Sequence, residues 1–252
     1  MWGCVWNGSK SLPMGRKNKL ARWAELETID FVIQPAFEEV FGKDHPLKGE
    51  WGAEVFGNDH PLVLELGCGK GEYTIGLARR YPERNFVGVD IKGARMWRGA
   101  VTARDGGLTN VAFLRTRIEL IDSFFARDEV SEIWITFPDP QPTKRRAKKR
   151  LTHPRFLERY ARFLEDGGIV HLKTDNRALY EYTRKVVELN GLVVEECTDD
   201  LYGEGGNEEA AAIQTFYEQQ FLEEGKRICY LRFRLRRQEQ YKDLSDDEQA
   251  LL

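Results

Sequence analysis

The sequence lacks the features that mark membrane, secreted and disulfide-stabilised proteins. No apolar run approaches the ~20 residues that span a bilayer. The N-terminus does not combine the charged start, apolar stretch and small-residue cleavage site of a signal peptide. The four cysteines are scattered without Cys-x-x-Cys spacing. We therefore expect a cytoplasmic protein with reduced thiols, without a metal site and without a membrane partner.

Neither sign of charge is in large excess, since 38 Lys and Arg residues face 41 Asp and Glu residues. Local patches matter more than the total, because salt screens charges beyond ~8 Å. The densest patch is segment 144–150, called here the basic run, in which six of seven residues are Lys or Arg. It is either a surface that binds a polyanion or a solvated face. Further cations lie at Arg16, Lys17, Lys19, Arg22, Arg232, Arg234, Arg236 and Arg237.

Short, continuously apolar segments alternate with helical patterns from residue 62 onward, which predicts a parallel sheet covered by helices on both faces. The predicted strands are 62–66, 86–90, 111–114, 132–137 and 169–173, with closing strands near 191–195 and 228–233. Helices are expected at 72–80 and 92–104.

The same pattern divides the chain into one α/β domain with two flanking segments. The domain spans 62–237, an extension and arm cover 1–61, and an acidic tail covers 238–252. Residues 1–13 show no periodicity. If translation also starts at Met14, these residues are an extension without a role, and such a segment can be disordered.

A glycine-rich segment after the first predicted strand indicates a ligand loop. Gly67, Gly69 and Gly71 follow Glu65 and open the helix at 72. Ligands of open α/β sheets bind at this end of the strands. Asp90 ends the next strand, where a carboxylate can accept hydrogen bonds from ribose hydroxyls. The G-x-G-x-G spacing favours S-adenosylmethionine over a dinucleotide, although a nicotinamide enzyme would share Asp90 and a plain glycine turn would share the glycines.

The segment Phe-Pro-Asp-Pro-Gln-Pro-Thr-Lys-Arg-Arg at 137–146 resembles the tRNA (guanine-N7-)-methyltransferase family, of the bacterial single-chain type. The resemblance extends from the glycine loop through Lys-Thr-Asp at 173–175 to Thr-Phe-Tyr-Glu at 215–218, and it covers about 62–234. It implies a Rossmann-like class I methyltransferase sheet, mostly parallel with an antiparallel last strand. It also implies S-adenosylmethionine as cofactor, the guanosine of the tRNA variable loop as acceptor, and no obligate protein partner.

Site residues follow partly from matching this sequence to the family position by position and partly from the chemistry of the residues themselves. Asp139 would be catalytic. The cofactor contacts would be Glu65, Gly67, Gly69, Gly71, Asp90, Arg117 and Asp139. The substrate contacts would be Thr143, Lys144, Asp175, Thr215 and Glu218. Phosphates of the tRNA backbone would be held by Arg145, Arg146, Lys148, Lys149 and Arg150.

Three departures from the family pattern affect these assignments. The family tryptophan is replaced by Gln141, and the substrate-contacting lysine by Thr143, beside which Lys144 offers a substitute. Where many members have Gly-Asp-Ala after the third strand, this chain has Thr-Arg-Ile at 116–118. The adenine contact at Arg117 therefore depends on the backbone.

Guanine N7 carries a lone pair and no proton, so the reaction needs positioning and not a general base. A carboxylate such as Asp139 would stabilise the positive charge of the methylated ring. Asp175 or Glu218 would accept hydrogen bonds from the guanine N1–H and amino group. Plainer alternatives are a turn cap for Asp139, a helix N-cap for Asp175 and an exposed helix position for Glu218. The aromatics Phe137 and Tyr217 would either stack on a base or pack in the core.

Three rival functions remain open from the residues alone. A non-catalytic tRNA-binding protein would keep the fold, but retention of the glycine loop, Asp90 and Asp139 disfavours it. Methyltransferases of amino groups usually carry Asn/Asp-Pro-Pro-aromatic, whereas this chain has Phe-Pro-Asp-Pro. A nicotinamide oxidoreductase is disfavoured by the glycine spacing.

Overall fold

The computed structural model describes residues 16–203 and 207–250, and it centres on an eight-stranded sheet. The strand order is β1-β4-β3-β2-β5-β6-β8-β7, and β8 runs antiparallel to both of its neighbours. All other pairs are parallel. The predicted fold class is therefore confirmed. The strands are β1 Val32–Ile33, β2 Leu62–Leu66, β3 Asn85–Asp90, β4 Val111–Arg115, β5 Val130–Thr136, β6 Leu164–Thr174, β7 Val193–Thr198 and β8 Cys229–Leu235.

Helices cover both faces of this sheet. The α-helices are α1 Arg16–Leu26, α2 Phe37–Val40, α3 Glu72–Arg80, α4 Gly93–Asp105, α5 Pro154–Tyr160, α6 Arg177–Leu189, α7 Glu208–Ala211, α8 Phe216–Glu223 and α9 Asp246–Ala250. A π-helix spans Trp51–Phe56, and 3-10 helices span Ile118–Ser123 and Lys144–Lys149. No described helix is long and apolar enough to cross a membrane.

The sheet forms because its central strands are apolar on both faces. All five residues of β2 are buried. Leu64 points into a core on one face of the sheet, called here the first core, and Val63 points into the second core on the other face. Trp134 of β5 packs in the second core, and its neighbours Ile133 and Ile135 pack in the first. Such two-sided burial is the reason that these strands read as continuous apolar runs.

Residues 16–61 are more closely integrated than an arm. Strand β1 pairs with β4 at the edge of the sheet, and Leu26, Val40 and Trp51 are buried in the cores. The indole Nε1 of Trp51 donates to the carbonyl of Phe124 at 2.8 Å. The boundary at residue 61 therefore does not separate two structural units in the described residues, and the extension at 1–13 lies outside them.

The acidic tail also packs onto the domain. Tyr241 and Leu244 are buried in the first core. Between them, the Asp243 carboxylate accepts a hydrogen bond from Tyr182 at 2.8 Å and lies 3.0 Å from His153 Nε2. The segment after residue 237 is thus part of the folded domain where it is described.

Candidate active site

The glycine loop joins β2 to α3 at the carboxyl edge of the sheet. Gly67, Gly69 and Gly71 all have positive φ, at 82°, 56° and 71°. A Cβ on Gly67 would meet nothing within 4 Å, so this backbone faces open space. A Cβ on Gly71 would lie 2.7 Å from the Phe113 ring, which leaves no room for a side chain. The first two glycines therefore permit the loop conformation, and the third also permits close packing of α3 on the sheet.

Asp90 at the end of β3 fixes this loop. One carboxylate oxygen, Oδ2, accepts from Gly69 N at 2.9 Å, and the other, Oδ1, accepts from Lys92 N at 2.7 Å. A carboxylate has about four lone-pair sites, so each oxygen can accept a further hydrogen bond. Asp90 lines both of the cavities at this edge.

Glu65 lies beneath the loop and is buried. Its Oε1 accepts from the Thr136 hydroxyl at 2.6 Å, and its Oε2 accepts from the backbone N–H and the hydroxyl of Thr74. Burial raises the pKa of Glu65 to about 7, and the hydrogen bonds from the two threonines oppose that shift. The Glu65 carboxyl therefore titrates near neutral pH at the floor of the second cavity.

Two cavities meet at Gly67 and Asp90. The first measures about 360 Å³, lies beyond the ends of β3 and β4, and is lined by Ile91, Arg117 and Ile118 among others. The second lies between the glycine loop, the end of β5 and the start of α8. Its walls include Lys70, Arg95, Thr136, Phe137, Thr215 and Tyr217. Together they form one cleft along the carboxyl edge.

The turn that carries Asp139 follows β5 at the edge of this cleft. Its two ends, Phe137 and Gln141, both have φ of 47°, which is uncommon for residues other than glycine. Strained backbone of this kind persists only where the surrounding structure holds it, and it concentrates at functional sites. The Asp139 side chain is exposed and accepts a hydrogen bond from Gln141 N at 3.3 Å. Gln141 itself lines the first cavity.

The basic run forms a 3-10 helix directly after this turn. The side chains of Thr143, Lys144, Arg145, Arg146 and Lys148 are exposed. Lys149 is also exposed and lines the first cavity.

Arg150 differs from the rest of the run. Its guanidinium lies 4.3 Å from the ring centre of Tyr182, and its Nη2 donates to the Gln141 carbonyl at 3.4 Å. Its half-buried side chain braces the Asp139 turn through this bond, and the phosphate contact at Arg150 stays a prediction that would use the remaining guanidinium N–H groups.

Asp175 follows β6 and faces Lys226, whose Nζ lies 3.5 Å from its Oδ2. The alternative role as a helix N-cap falls to its neighbour, because Asn176 Oδ1 accepts from Leu179 N at 2.8 Å. The Asp175 carboxylate is thus not consumed by capping.

Glu218 and Thr215 form a capping box at the start of α8. The Thr215 hydroxyl accepts from Glu218 N, and a Glu218 oxygen accepts from Thr215 N, both at 3.2 Å. Thr215 lines the second cavity, but Glu218 is fully buried, with 0% exposure. The prediction that Glu218 faces the guanosine is therefore wrong for this arrangement, and so is the alternative of an exposed helix position. Its carboxylate is turned inward because a buried lysine lies there.

Lys173 is that partner, and the sequence-based assignment missed it. Its Nζ lies 2.7 Å from Glu218 Oε1 and donates to the carbonyls of Ala210 at 2.6 Å and Ile213 at 2.9 Å. Burial lowers the pKa of Lys173, and Glu218 opposes that shift. The only signal in the sequence was a lysine at the end of an apolar strand, which requires a buried partner.

Comparisons with known sequences agree with this geometry. A family profile described as "Putative methyltransferase" matches residues 59–231. A protein of Christiangramia forsetii named tRNA (guanine-N(7)-)-methyltransferase is 54% identical over 224 residues, which cover 88% of this chain and 100% of that protein. A Porphyromonas gingivalis protein of the same name is 57% identical over 213 residues, covering 83% of this chain and 86% of the relative.

Solved structures with low sequence identity share the fold. The 16S rRNA methyltransferase KamB aligns with a TM-score of 0.57 at 18% identity and covers 73% of this chain and 92% of its own. A 16S rRNA (adenine(1408)-N(1))-methyltransferase mutant from Catenulisporales acidiphilia, solved with the cosubstrate SAM, aligns with a TM-score of 0.52 at 16% identity. That alignment covers 77% of this chain and 94% of the other.

Proposed function

Because the chain belongs to the tRNA (guanine-N7-)-methyltransferase family, we propose that it transfers the methyl group of S-adenosylmethionine to N7 of a guanosine in the tRNA variable loop. The observation that carries this proposal is one cleft with three parts. The glycine loop and Asp90 form its middle, the Asp139 turn borders one side, and the basic run follows that turn in the chain.

The residues of the cleft fit S-adenosylmethionine. Gly67 offers backbone without a side chain, and Asp90 has lone pairs left for the two ribose hydroxyls. Ile91 and Ile118 give the first cavity an apolar wall suited to a flat base, with Arg117 beside it. Glu65 and Thr136 lie in the second cavity, where a positively charged aminoalkyl group would meet a carboxyl. When bound, the cofactor supplies a methyl group already activated by its sulfonium.

The protein's own contribution is positioning and charge stabilisation. The acceptor N7 has no proton to lose, so no general base is needed. Holding N7 in line with the methyl group at near-attack distance supplies several kcal/mol, of a possible ~7–11 kcal/mol for full preorganisation. Methylation leaves a positive charge on the guanine ring. The Asp139 carboxylate, held on a braced turn at the edge of the cleft, stabilises that charge as it develops.

Recognition of the guanosine then rests on the rim of the second cavity. Thr215 and Tyr217 line it, and Asp175 precedes helix α6 at the same edge of the sheet. Asp175 keeps the role of accepting hydrogen bonds from the guanine Watson–Crick edge. Glu218 acts indirectly, since it anchors the start of α8 and so fixes Thr215. Thr143 occupies the position at which the family has a substrate-contacting lysine, and the adjacent Lys144 takes over that contact.

Phosphates of the tRNA fit the exposed cations of the basic run. Arg145, Arg146 and Lys148 point to solvent beside the reaction turn, and Lys149 borders the first cavity. Phosphate contacts orient a nucleic acid and base contacts specify it. A base that enters the cleft brings its backbone past these cations.

A comparison of Asp139→Ala with the wild type tests this proposal against the non-catalytic alternative. Labelled S-adenosylmethionine is incubated with unmodified tRNA, and cofactor affinity is measured by calorimetry on the same preparations. We expect label transfer by the wild type, loss of most turnover in Asp139→Ala, and cofactor affinity retained at least in part. A wild type that binds cofactor and tRNA but transfers no label would instead identify a tRNA-binding protein.

A further inference from the structure

Two phenylalanines at the start of the domain are exposed and stacked on each other. Phe37 is 45% exposed and Phe41 is 63% exposed, although both are large apolar side chains. Their ring centres lie 4.8 Å apart with 25° between the planes. Phe37 opens the single-turn helix α2 and Phe41 is its C-cap, whose N–H donates to the Phe37 carbonyl, so the two rings lie together at this turn. Single exposed apolar residues are common, but a stacked aromatic pair in solvent calls for a partner.

Arginines connect this pair to the cleft. The Arg117 guanidinium lies 5.8 Å from the ring centre of Phe37, and Arg117 also lines the first cavity. Two residues earlier, the Arg115 guanidinium lies 5.0 Å from the ring centre of Trp23, which is itself partly exposed. Arg115 donates to the Ile91 carbonyl at 3.4 Å and to Gln34 Oε1 at 3.5 Å, both uncharged partners, and neither arginine forms an ion pair with another described residue. The surface therefore carries aromatic rings next to guanidinium groups whose positive charge no described carboxylate neutralises.

We infer that this aromatic edge, composed of Trp23, Phe37, Phe41, Arg115 and Arg117, binds unpaired nucleotides of the RNA substrate next to the guanosine in the cleft. The inference rests on the proposed function for the identity of the substrate. Single-stranded RNA is recognised by stacking of its splayed bases on aromatic rings and arginine planes. The arginines would add phosphate contacts. When an RNA segment places one base in the cleft, the nucleotides that flank this base lie next to the cleft. The aromatic edge adjoins the first cavity and is therefore within their reach.

The acidic residues of α2 do not obstruct such a path. Glu38 and Glu39 occupy the helix positions between the two rings in sequence, and so project to other faces. The Glu39 carboxylate is turned back to accept from Ala36 N at 2.8 Å. A second copy of the chain is a poor occupant, because stable protein interfaces bury at least ~1,200 Å², far more than two rings supply. A single base needs only a ring face.

The double variant Phe37→Ala/Phe41→Ala tests this surface. Both side chains are exposed, so the fold should survive their truncation. Stacking is worth ~1–3 kcal/mol per base, so we expect tRNA affinity to fall about tenfold. Cofactor affinity and the turnover rate at saturating tRNA should change little. The matched control is Leu189→Ala/Val193→Ala, two exposed apolar residues at the end of α6 and on β7, at the opposite edge of the sheet.

Two further variants separate stacking from plain hydrophobic contact. Phe37→Tyr/Phe41→Tyr keeps flat rings and should bind tRNA as the wild type does. Phe37→Leu/Phe41→Leu keeps apolar bulk and should bind as weakly as the alanine variant. Wild-type affinity in the alanine or leucine variants, with methylation intact, would overturn the aromatic edge and leave the proposed function standing. If the alanine variant keeps its tRNA affinity but loses self-association, the RNA-binding role of the aromatic edge is overturned and a second copy of the chain is its partner. A wild type that neither binds nor methylates tRNA would overturn both.

Discussion

Lys173 and Glu218 form an ion pair with no solvent exposure, 2.7 Å between Nζ and Oε1. The pair joins the end of β6 to the start of α8, and Lys173 also holds the carbonyls of Ala210 and Ile213. Tyr202 donates a further hydrogen bond to Glu218 at 2.7 Å. The rim residues Thr215 and Tyr217 are therefore positioned by a charged anchor beneath them, together with the packing of Phe221 and Leu222 of α8 on the apolar core.

Breaking this anchor on one side should be costly. In Lys173→Met the Glu218 carboxylate stays buried without its counter-charge, so we expect the free energy of unfolding to fall by ~3–5 kcal/mol. The double variant Lys173→Met/Glu218→Gln should recover part of that loss while leaving the rim loosely held. Urea unfolding measures the first effect, and a raised KM for tRNA at unchanged cofactor affinity measures the second. A Lys173→Met protein as stable as the wild type would contradict the anchor.

Asp90 should matter for the cofactor and not for the tRNA. Its carboxylate accepts from Gly69 N and Lys92 N, and we propose that its remaining lone pairs accept from the ribose hydroxyls of the cofactor. A hydrogen bond to a charged group is worth ~1.5–3 kcal/mol, so Asp90→Ala should raise the cofactor dissociation constant roughly tenfold or more. Calorimetry measures the change, with Asp105→Ala at the exposed end of α4 as control. Unchanged cofactor affinity in Asp90→Ala would remove Asp90 from the site.

Glu65 predicts a pH dependence of stability. Its pKa is about 7 in the folded protein against 4.5 for an ordinary glutamate, because burial disfavours the charged form. The folded state therefore keeps its proton while the unfolded state loses it. This group's contribution is fully present below pH 4.5 and declines by on the order of 3 kcal/mol as the pH rises to 7.

The variant Glu65→Gln isolates this effect, because its amide cannot ionise. Urea unfolding from pH 4.5 to 8 should show the wild type losing stability relative to the variant as the pH rises. Taking the difference between the two proteins cancels the carboxylates whose pKa values are lowered, such as Glu132 and Asp243, which are present in both. Parallel curves over this range would show that Glu65 does not titrate there.

The basic run should carry much of the salt dependence of tRNA binding. Arg145 and Arg146 are adjacent, exposed and close in sequence to the Asp139 turn. Replacing both with alanine should weaken tRNA binding and reduce the slope of log affinity against log salt by roughly one for each lost phosphate contact. The matched control replaces Arg79 and Arg80, two adjacent exposed arginines at the far end of α3. Equal slopes for the two double variants would show that the run is only a solvated face.

The central sheet and its glycine loop were predictable from the sequence because their signals are local. Helix α3 begins after Gly71 and ends at Arg80, as the pattern predicts. The buried strands read as apolar runs because both of their faces are covered. The place of the glycine loop in the fold then follows from the rule that ligand-binding loops lie at the carboxyl ends of the strands.

The parts that the sequence missed depend on distant partners. Strand β1 has two residues, too few to show alternation, and it exists through pairing with β4. Asp243 lies in an acidic stretch of sequence, yet it packs onto the domain because Tyr182 donates a hydrogen bond to its carboxylate and His153 lies beside it. The burial of Glu218 depends on Lys173, a residue distant in the sequence, and no local pattern reveals this partner.

The identity of the methylated nucleoside tests the central claim most directly. Unmodified tRNA is incubated with the wild-type protein and S-adenosylmethionine, then digested, and its nucleosides are separated and identified by mass spectrometry against standards. Since the proposed acceptor is the unprotonated N7 lone pair, the account predicts 7-methylguanosine from a single position in the variable loop, and its loss with Asp139→Ala. A different product, such as 1-methylguanosine, N2-methylguanosine or a methylated adenosine, would contradict it.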